Sequence, residues 1–160
     1  MSSFDEAFTA LIGNEGGYSF NPADPGGETM WGITARVAHG WGYTGDMKDL
    51  SQDTAKAIAR KFYWDPHQCD QFDPRVAFQV FDAAYNGGHP AQWLQQAAGV
   101  TADGMIGAIT IAAVRQADPL KIVILFNASR IAYYTSLGTW DSFGRGWSNR
   151  IANNLRRAAS

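Results

Sequence analysis

The chain is poor in cysteine, glutamate and histidine, and it has no long apolar run. Cys69 is the only thiol in 160 residues, so no disulfide can form within the chain. The spacing of Cys and His fits no metal site, and no metal or organic cofactor is expected. No base lies beside Cys69 in the sequence, so a buried, inert thiol is expected. The three histidines, His39, His67 and His89, are scattered. The longest apolar stretch, Ile122 to Phe126, is far too short to span a bilayer. Asp5 and Glu6 stand where an export signal carries basic residues. That predicts synthesis in the cytoplasm without a signal peptide. An excess of either charge is lacking too: 13 Lys and Arg face 15 Asp and Glu, a net charge of −2. Nucleic-acid affinity comes from massed basic residues, so no nucleic-acid partner is expected.

Apolar residues make up 46% of the chain and aromatics 13%, enough for a real core in one compact, monomeric protein. Charge is uneven along it. Residues 1–120 carry 7 basic and 14 acidic side chains, net −7, whereas residues 121–160 carry 6 and 1, net +5. A basic terminal segment is either a solvated helix face or a surface for an anionic partner.

Helical patterns dominate. Ser3 and Glu6 form a capping box ahead of an apolar stripe of Phe4, Ala7, Phe8, Leu11 and Ile12, which Gly16 and Gly17 end. Residues 18–34 hold Pro22, Pro25, Gly26, Gly27 and Gly32, which no long helix survives; a small β-hairpin or ordered loop is expected there. Ser51 then opens a helix with Ala55, Ile58, Ala59 and Phe62 inward. Asp73-Pro74 opens another that ends at Asn86-Gly87-Gly88. Helices follow from Pro90, through Ile109 to Ala113, from Leu120 to about Leu137 (the most apolar and central one), and from about Gly144 to Arg157. In the last, Trp147, Ile151 and Leu155 are expected to pack inward. The segment Gly99–Gly107 is the weakest point of the pattern. The fold class is mainly α, with a small β insertion near the N-terminus.

The acidic residues number 12 Asp and only 3 Glu. Glu6 is explained by the capping box. Glu15 occupies the next position on the apolar stripe, at the C-terminal end of its helix. Burial and the negative helix end both disfavour its charge. A carboxylic acid held neutral is what a general acid for glycosidic cleavage requires. The other reading is a Glu that turns outward where the helix frays. Tyr18, Phe20, Trp31, Trp41, Tyr43, Tyr63 and Trp64 crowd the first 64 residues, as a sugar-stacking cleft or as ordinary core. Asp24, Glu28, Thr29 and Thr34 supply polar groups that can hold a water or stabilise an oxocarbenium-like transition state. Asp24 lies between Pro22 and Pro25 and can equally brace the loop, so Glu28 is the favoured partner of Glu15.

The run from Asn14-Glu15-Gly16-Gly17-Tyr18 through Asp24 and Glu28-Thr29-Met30-Trp31-Gly32-Ile33-Thr34 resembles the signature of glycoside hydrolase family 108. So do Phe81-Asp82-Ala83-Ala84-Tyr85-Asn86-Gly87-Gly88, Ala102-Asp103-Gly104-Met105-Ile106-Gly107 and Phe143-Gly144-Arg145-Gly146-Trp147-Ser148-Asn149-Arg150. That family comprises phage endolysins and secretion-associated muramidases, and the second half of the chain is similar to the peptidoglycan-binding region that accompanies it. The resemblance implies a lysozyme-like helical fold. It implies Glu15 as catalytic acid and peptidoglycan glycan strands as substrate, cut between N-acetylmuramic acid and N-acetylglucosamine. It divides the chain into a catalytic region, 1–90, and a peptidoglycan-binding-like region, 91–160. It also places Tyr85 and Asn86 near the cleft; Tyr18, Thr29, Trp31 and Thr34, from the aromatic and polar groups read above, are the further expected substrate contacts. Asp82 there is a catalytic group or a structural anchor. Release from the cytoplasm through a holin or similar pore, with action in the periplasm or cell wall, completes the expectation. The rivals are a lytic transglycosylase and a non-catalytic peptidoglycan-binding or secretion-accessory protein.

Overall fold

The computed structural model describes residues 3–20, 22 and 27–160, with the helical backbone alone at 13–15. The chain divides into two compact units, Met1–Pro66 and His67–Ser160. Eight α-helices and one small antiparallel sheet are found among the described residues, which bears out the mainly α expectation.

In the first unit, α1 (Ser3–Glu15) buries Phe4, Ala7, Phe8 and Leu11 along one stripe. Ser3 is the first helical residue, so the capping position falls at residue 2, outside the described residues. Strands β1 (Tyr18–Phe20), β2 (Glu28–Met30) and β3 (Ile33–Thr34) pair in sequence order. Tyr18 faces Met30 and Phe20 faces Glu28; Thr29 faces Thr34 and Met30 faces Ile33. The β2–β3 connection is Trp31-Gly32, both at positive φ (54° and 73°), as a two-residue hairpin turn of this hand demands. That conformation is strained for a bulky side chain. The Trp31 indole N–H offsets it by donating to the Leu50 carbonyl at 2.9 Å.

Thr34 ends the sheet and caps α2 (Ala35–Trp41), its hydroxyl accepting from the Val37 amide. This helix was not expected: Ala38 is its only buried residue, so it carries no apolar stripe to read. Ser51 caps α3 (Gln52–Ala59), which buries Ala55, Ile58 and Ala59. The helix runs on as one wide π turn, Arg60–Trp64. The extra residue in that turn shifts the helical phase. Trp64 is therefore buried where Phe62 was expected, and Phe62 is exposed. Trp64 meets Phe4 edge-on, with centroids 5.2 Å apart.

The second unit is built on α4 (Pro74–Asn86), α5 (Pro90–Ala98), α6 (Ala108–Gln116), α7 (Pro119–Thr135) and α8 (Trp140–Ala159). Asp73 caps α4, accepting from the Arg75 amide at 2.9 Å. Asp118 caps α7 in the same way through Leu120. Helix α7 is central as expected, packing against α4, α5, α6 and α8. Helix α8 begins at Trp140, ahead of the expected start near Gly144. Within its first turn the Trp140 ring lies against Gly144 so closely that a Cβ there would sit 2.7 Å from it. On α8, Ile151 is buried and Trp147 stacks on Tyr134 with centroids 4.6 Å apart. Leu155 is exposed, so the inward stripe is shorter than expected. Cys69 is buried.

The basic character of residues 121–160 is partly internal. Arg130 and Arg150 both bind the Asp82 carboxylate. The Arg157 guanidinium lies 4.6 Å from the Phe78 ring centroid. A purely solvated basic face, one of the two readings of this segment, therefore holds only in part.

Candidate functional site

Glu15 is the last residue of α1. Its side chain is outside the described residues, and so is Asp24. The backbone around Glu15 is informative in itself. The last turn of α1 contains no basic residue, so the partial negative charge of the helix end is not neutralised from within the helix. Gly16 follows, its amide bonded to the Ile12 carbonyl at 2.9 Å. A Cβ on Gly16 would sit 3.1 Å from that carbonyl and 3.9 Å from the Trp31 ring. Gly17 then turns at φ 90° into β1. The two glycines therefore join the end of α1 to β1 in only two residues.

The sheet gathers most of the remaining candidates of this unit. Tyr18 and Glu28 lie on one face, on adjacent strands, in diagonal register. Desolvation first, then the charge and hydrogen-bonding pull of the Glu28 carboxylate, push the Tyr18 hydroxyl above its ordinary pKa, so it stays protonated. Lys48 places its ammonium 5.0 Å from the Tyr18 ring centroid, a neighbour the sequence did not suggest. Thr29 and Thr34 pair on the opposite face of the sheet, and Thr34 is engaged in capping α2. Trp31 is half-buried, with its N–H engaged by Leu50. Phe20 is strongly exposed on the same face as Tyr18.

Tyr85 and Asn86 close α4 in the second unit. Tyr85 is half-buried and meets Phe81 edge-on at 5.6 Å. Asn86 is exposed and donates its carboxamide N–H back to the Asp82 carbonyl at 2.8 Å, folding its side chain onto the last turn of its own helix. Asp82 itself is 1% exposed. One carboxylate oxygen accepts from Arg150 at 2.7 Å; the other accepts from Arg130 and Asn154, both at 2.8 Å. Both oxygens are committed, so of its two sequence readings the structural anchor is the one realised. It ties α4, α7 and α8 at one point. Gln79 extends the network, donating to the Asn154 carbonyl and accepting from Asn127. Among the described residues no group of three or more His, Cys, Asp or Glu could hold a metal ion.

A family model described as "Glycosyl hydrolase 108" matches residues 8–88. A second, described as "Predicted Peptidoglycan domain", matches residues 89–152. Twelve chains of known structure match. One is the structure of Brucella abortus SagA, 34% identical, covering 98% of this chain and 94% of that chain with a TM-score of 0.89. No curated protein matches. The likeness to SagA agrees with a lysozyme-like helical fold carrying a small sheet.

Proposed function

Because the chain belongs to the glycosyl hydrolase 108 family, a glycoside hydrolase acting on peptidoglycan, we propose that it is an N-acetylmuramidase of the endolysin type. It cuts between N-acetylmuramic acid and N-acetylglucosamine, and Glu15 is the general acid. The observation that carries this reading is the E-G-G turn. It puts Glu15 at the negative end of α1, where no basic residue in the last turn offsets the helix dipole. A carboxylic acid there is favoured in its neutral form, ready to protonate the glycosidic oxygen. Glu28, half-buried on the sheet and on the same face as Tyr18, is the second carboxylate. It positions water or stabilises the oxocarbenium-like transition state. Asp24 is a loop brace in this scheme. Tyr18, Thr29, Trp31, Thr34, Tyr85 and Asn86 contact the glycan or hold the groups that do. The working enzyme is a monomer that meets its substrate in the periplasm or cell wall, reached through a holin or similar pore.

Mass spectrometry of purified cell walls digested by the protein tests this. Reducing muramic ends are expected. Anhydro-muramic ends would make it a lytic transglycosylase, and intact glycan would make it a binding or secretion-accessory protein.

A further inference from the structure

The two most exposed large apolar side chains among the described residues are Ile109, at 79%, and Met105, at 76%. Both line one groove of about 620 Å³ in the second unit, with Val100, Thr101, Asp103 and Ile106 among the other walls. Exposed apolar groups gathered in a concave surface mark a binding site more often than scattered ones do.

The loop that walls the groove is tied down by Gln95, which is buried behind it. The Gln95 carboxamide NH2 faces an Asp103 carboxylate oxygen at 2.8 Å, the Met105 carbonyl at 3.0 Å and the Thr110 hydroxyl at 3.2 Å, and shares its two protons among these three acceptors. Its own oxygen accepts from the Gly104 amide at 2.8 Å. The Met105 amide donates to the same Asp103 oxygen at 2.9 Å. Gly104 makes the turn at φ 79°. These bonds, the Met105 amide first and Gln95 second, hold the Asp103 carboxyl below its ordinary range. The stretch that looked weakest in sequence is thus a preformed surface with a fixed anion at its rim.

Its chemistry selects a ligand. No aromatic ring lines it, so it lacks the flat faces on which sugars stack. It offers methyl and thioether walls and one carboxylate. Peptidoglycan presents a matching set on its peptide stems, where alanine methyl groups flank a diamino acid with a free ammonium. We propose that this groove binds the peptide stem of peptidoglycan, alanine methyls against Met105 and Ile109 and the ammonium on Asp103. The inference rests on peptidoglycan being the substrate, and its test reads binding rather than cleavage.

The full chain carrying Glu15→Gln is sedimented with purified sacculi, intact or stripped of stems by an N-acetylmuramoyl-alanine amidase. The same chain is titrated calorimetrically with the tetrapeptide N-acetyl-L-alanyl-γ-D-glutamyl-meso-diaminopimelyl-D-alanine. Stripping is expected to weaken sedimentation by about tenfold or more, equivalent to about 1.4 kcal/mol. Asp103→Asn, which keeps one accepting oxygen and removes the charge, should weaken tetrapeptide binding by a similar factor. Met105→Ser with Ile109→Ser should do the same with an unchanged melting temperature, since both side chains are already in water. Equal sedimentation of stripped and intact sacculi would overturn the proposal. So would stem-dependent binding that ignores all three substitutions. Cleavage products decide the muramidase reading separately, so one can fail while the other stands.

Discussion

The sheet of the first unit and helix α4 of the second are opposite ways of holding side chains. All three residues of β1 are exposed, and the strands are two or three residues long. Strands this short are marginal without support from elsewhere. The support here is local: the Trp31–Leu50 hydrogen bond, the Thr34 cap and the Tyr18–Glu28 pair. In α4, eight consecutive residues from Val76 to Ala83 are buried, including Gln79 and Asp82. Polar groups there are enclosed and paired. The contrast separates two kinds of carboxylate: Glu28, proposed to meet substrate, sits on thin, half-open structure, and Asp82, which ties helices together, is sealed. Changes in the first should remove activity and spare the fold; changes in the second should do the reverse.

The largest effect expected is at Glu15. Glu15→Gln keeps size and polarity but has no proton to transfer. Turnover on cell walls should fall by roughly 100- to 10,000-fold, the range for loss of a general acid. The circular-dichroism melt should be unchanged. A folded variant that lyses normally would end the proposed mechanism.

Asp82→Ala should behave in the opposite sense. It leaves Arg130, which is fully buried, without its carboxylate. Breaking a buried pair on one side destabilises by about 3–5 kcal/mol. Denaturant unfolding should show a loss of that size, or the protein should fail to accumulate. A stable Asp82→Ala variant with low activity would move Asp82 into the chemistry and dissolve the comparison.

Glu28 and Asp24 sharpen the comparison within the first unit. Glu28→Gln should lower turnover by about 100-fold, the low end of general acid–base effects. Asp24→Asn should cost less than about tenfold, or 1.4 kcal/mol in the barrier. Steady-state rates on soluble glycan fragments read both. If Asp24→Asn is the more damaging, with stability unchanged, the two roles are reversed.

What the sequence disclosed follows from range. Helices α1, α3, α4, α5 and α7 were legible because their apolar spacing and their flanking Ser, Asp, Pro and Gly residues are local signals. Helix α2 was hidden because a single buried Ala38 leaves no period to detect. The π turn was hidden because one extra residue changes phase without changing composition. Glu15 stood out in the sequence because a carboxyl broke an apolar stripe. The Tyr18–Glu28 pair depends on strand register, and the three partners of Asp82 lie 48, 68 and 72 residues away. No local pattern encodes either. The Gln95 knot was missed for a related reason: a glutamine on a helix reads as surface until its partners are known.

A smaller effect separates local caps from the sealed network. Asp73 caps α4 and is bonded by the Arg75 side chain, which, ahead of the backbone bond, lowers its carboxyl below the ordinary 3.8. Asp73→Ala should cost about 1 kcal/mol at neutral pH. A depressed carboxyl stabilises the fold above its unfolded value and loses that contribution as pH falls through its folded value. The gap between parent and variant should therefore persist at pH 5 and shrink below about pH 3.8. A gap that stays constant into acid would mean the charge is irrelevant to the cap.

The smallest effect expected is on the outer surface of α8. Arg145 and Arg156 are exposed, and Arg156 only reaches the Asn153 carboxamide at 3.1 Å. Surface substitutions of this kind shift stability by no more than about 0.5 kcal/mol. Their reach toward an anionic wall is about one Debye length, ~10 Å at 0.1 M salt. Two of the six basic residues of the segment are already committed to Asp82, and Arg157 lies on Phe78. Arg145→Ala with Arg156→Ala should therefore weaken sedimentation with cell walls at low salt by only about twofold to threefold. The difference should vanish as salt rises and the fields of the remaining charges are screened. A deficit that persists in high salt would show that these arginines touch the wall directly, and α8 would then belong with the first unit's sheet as a surface that meets substrate.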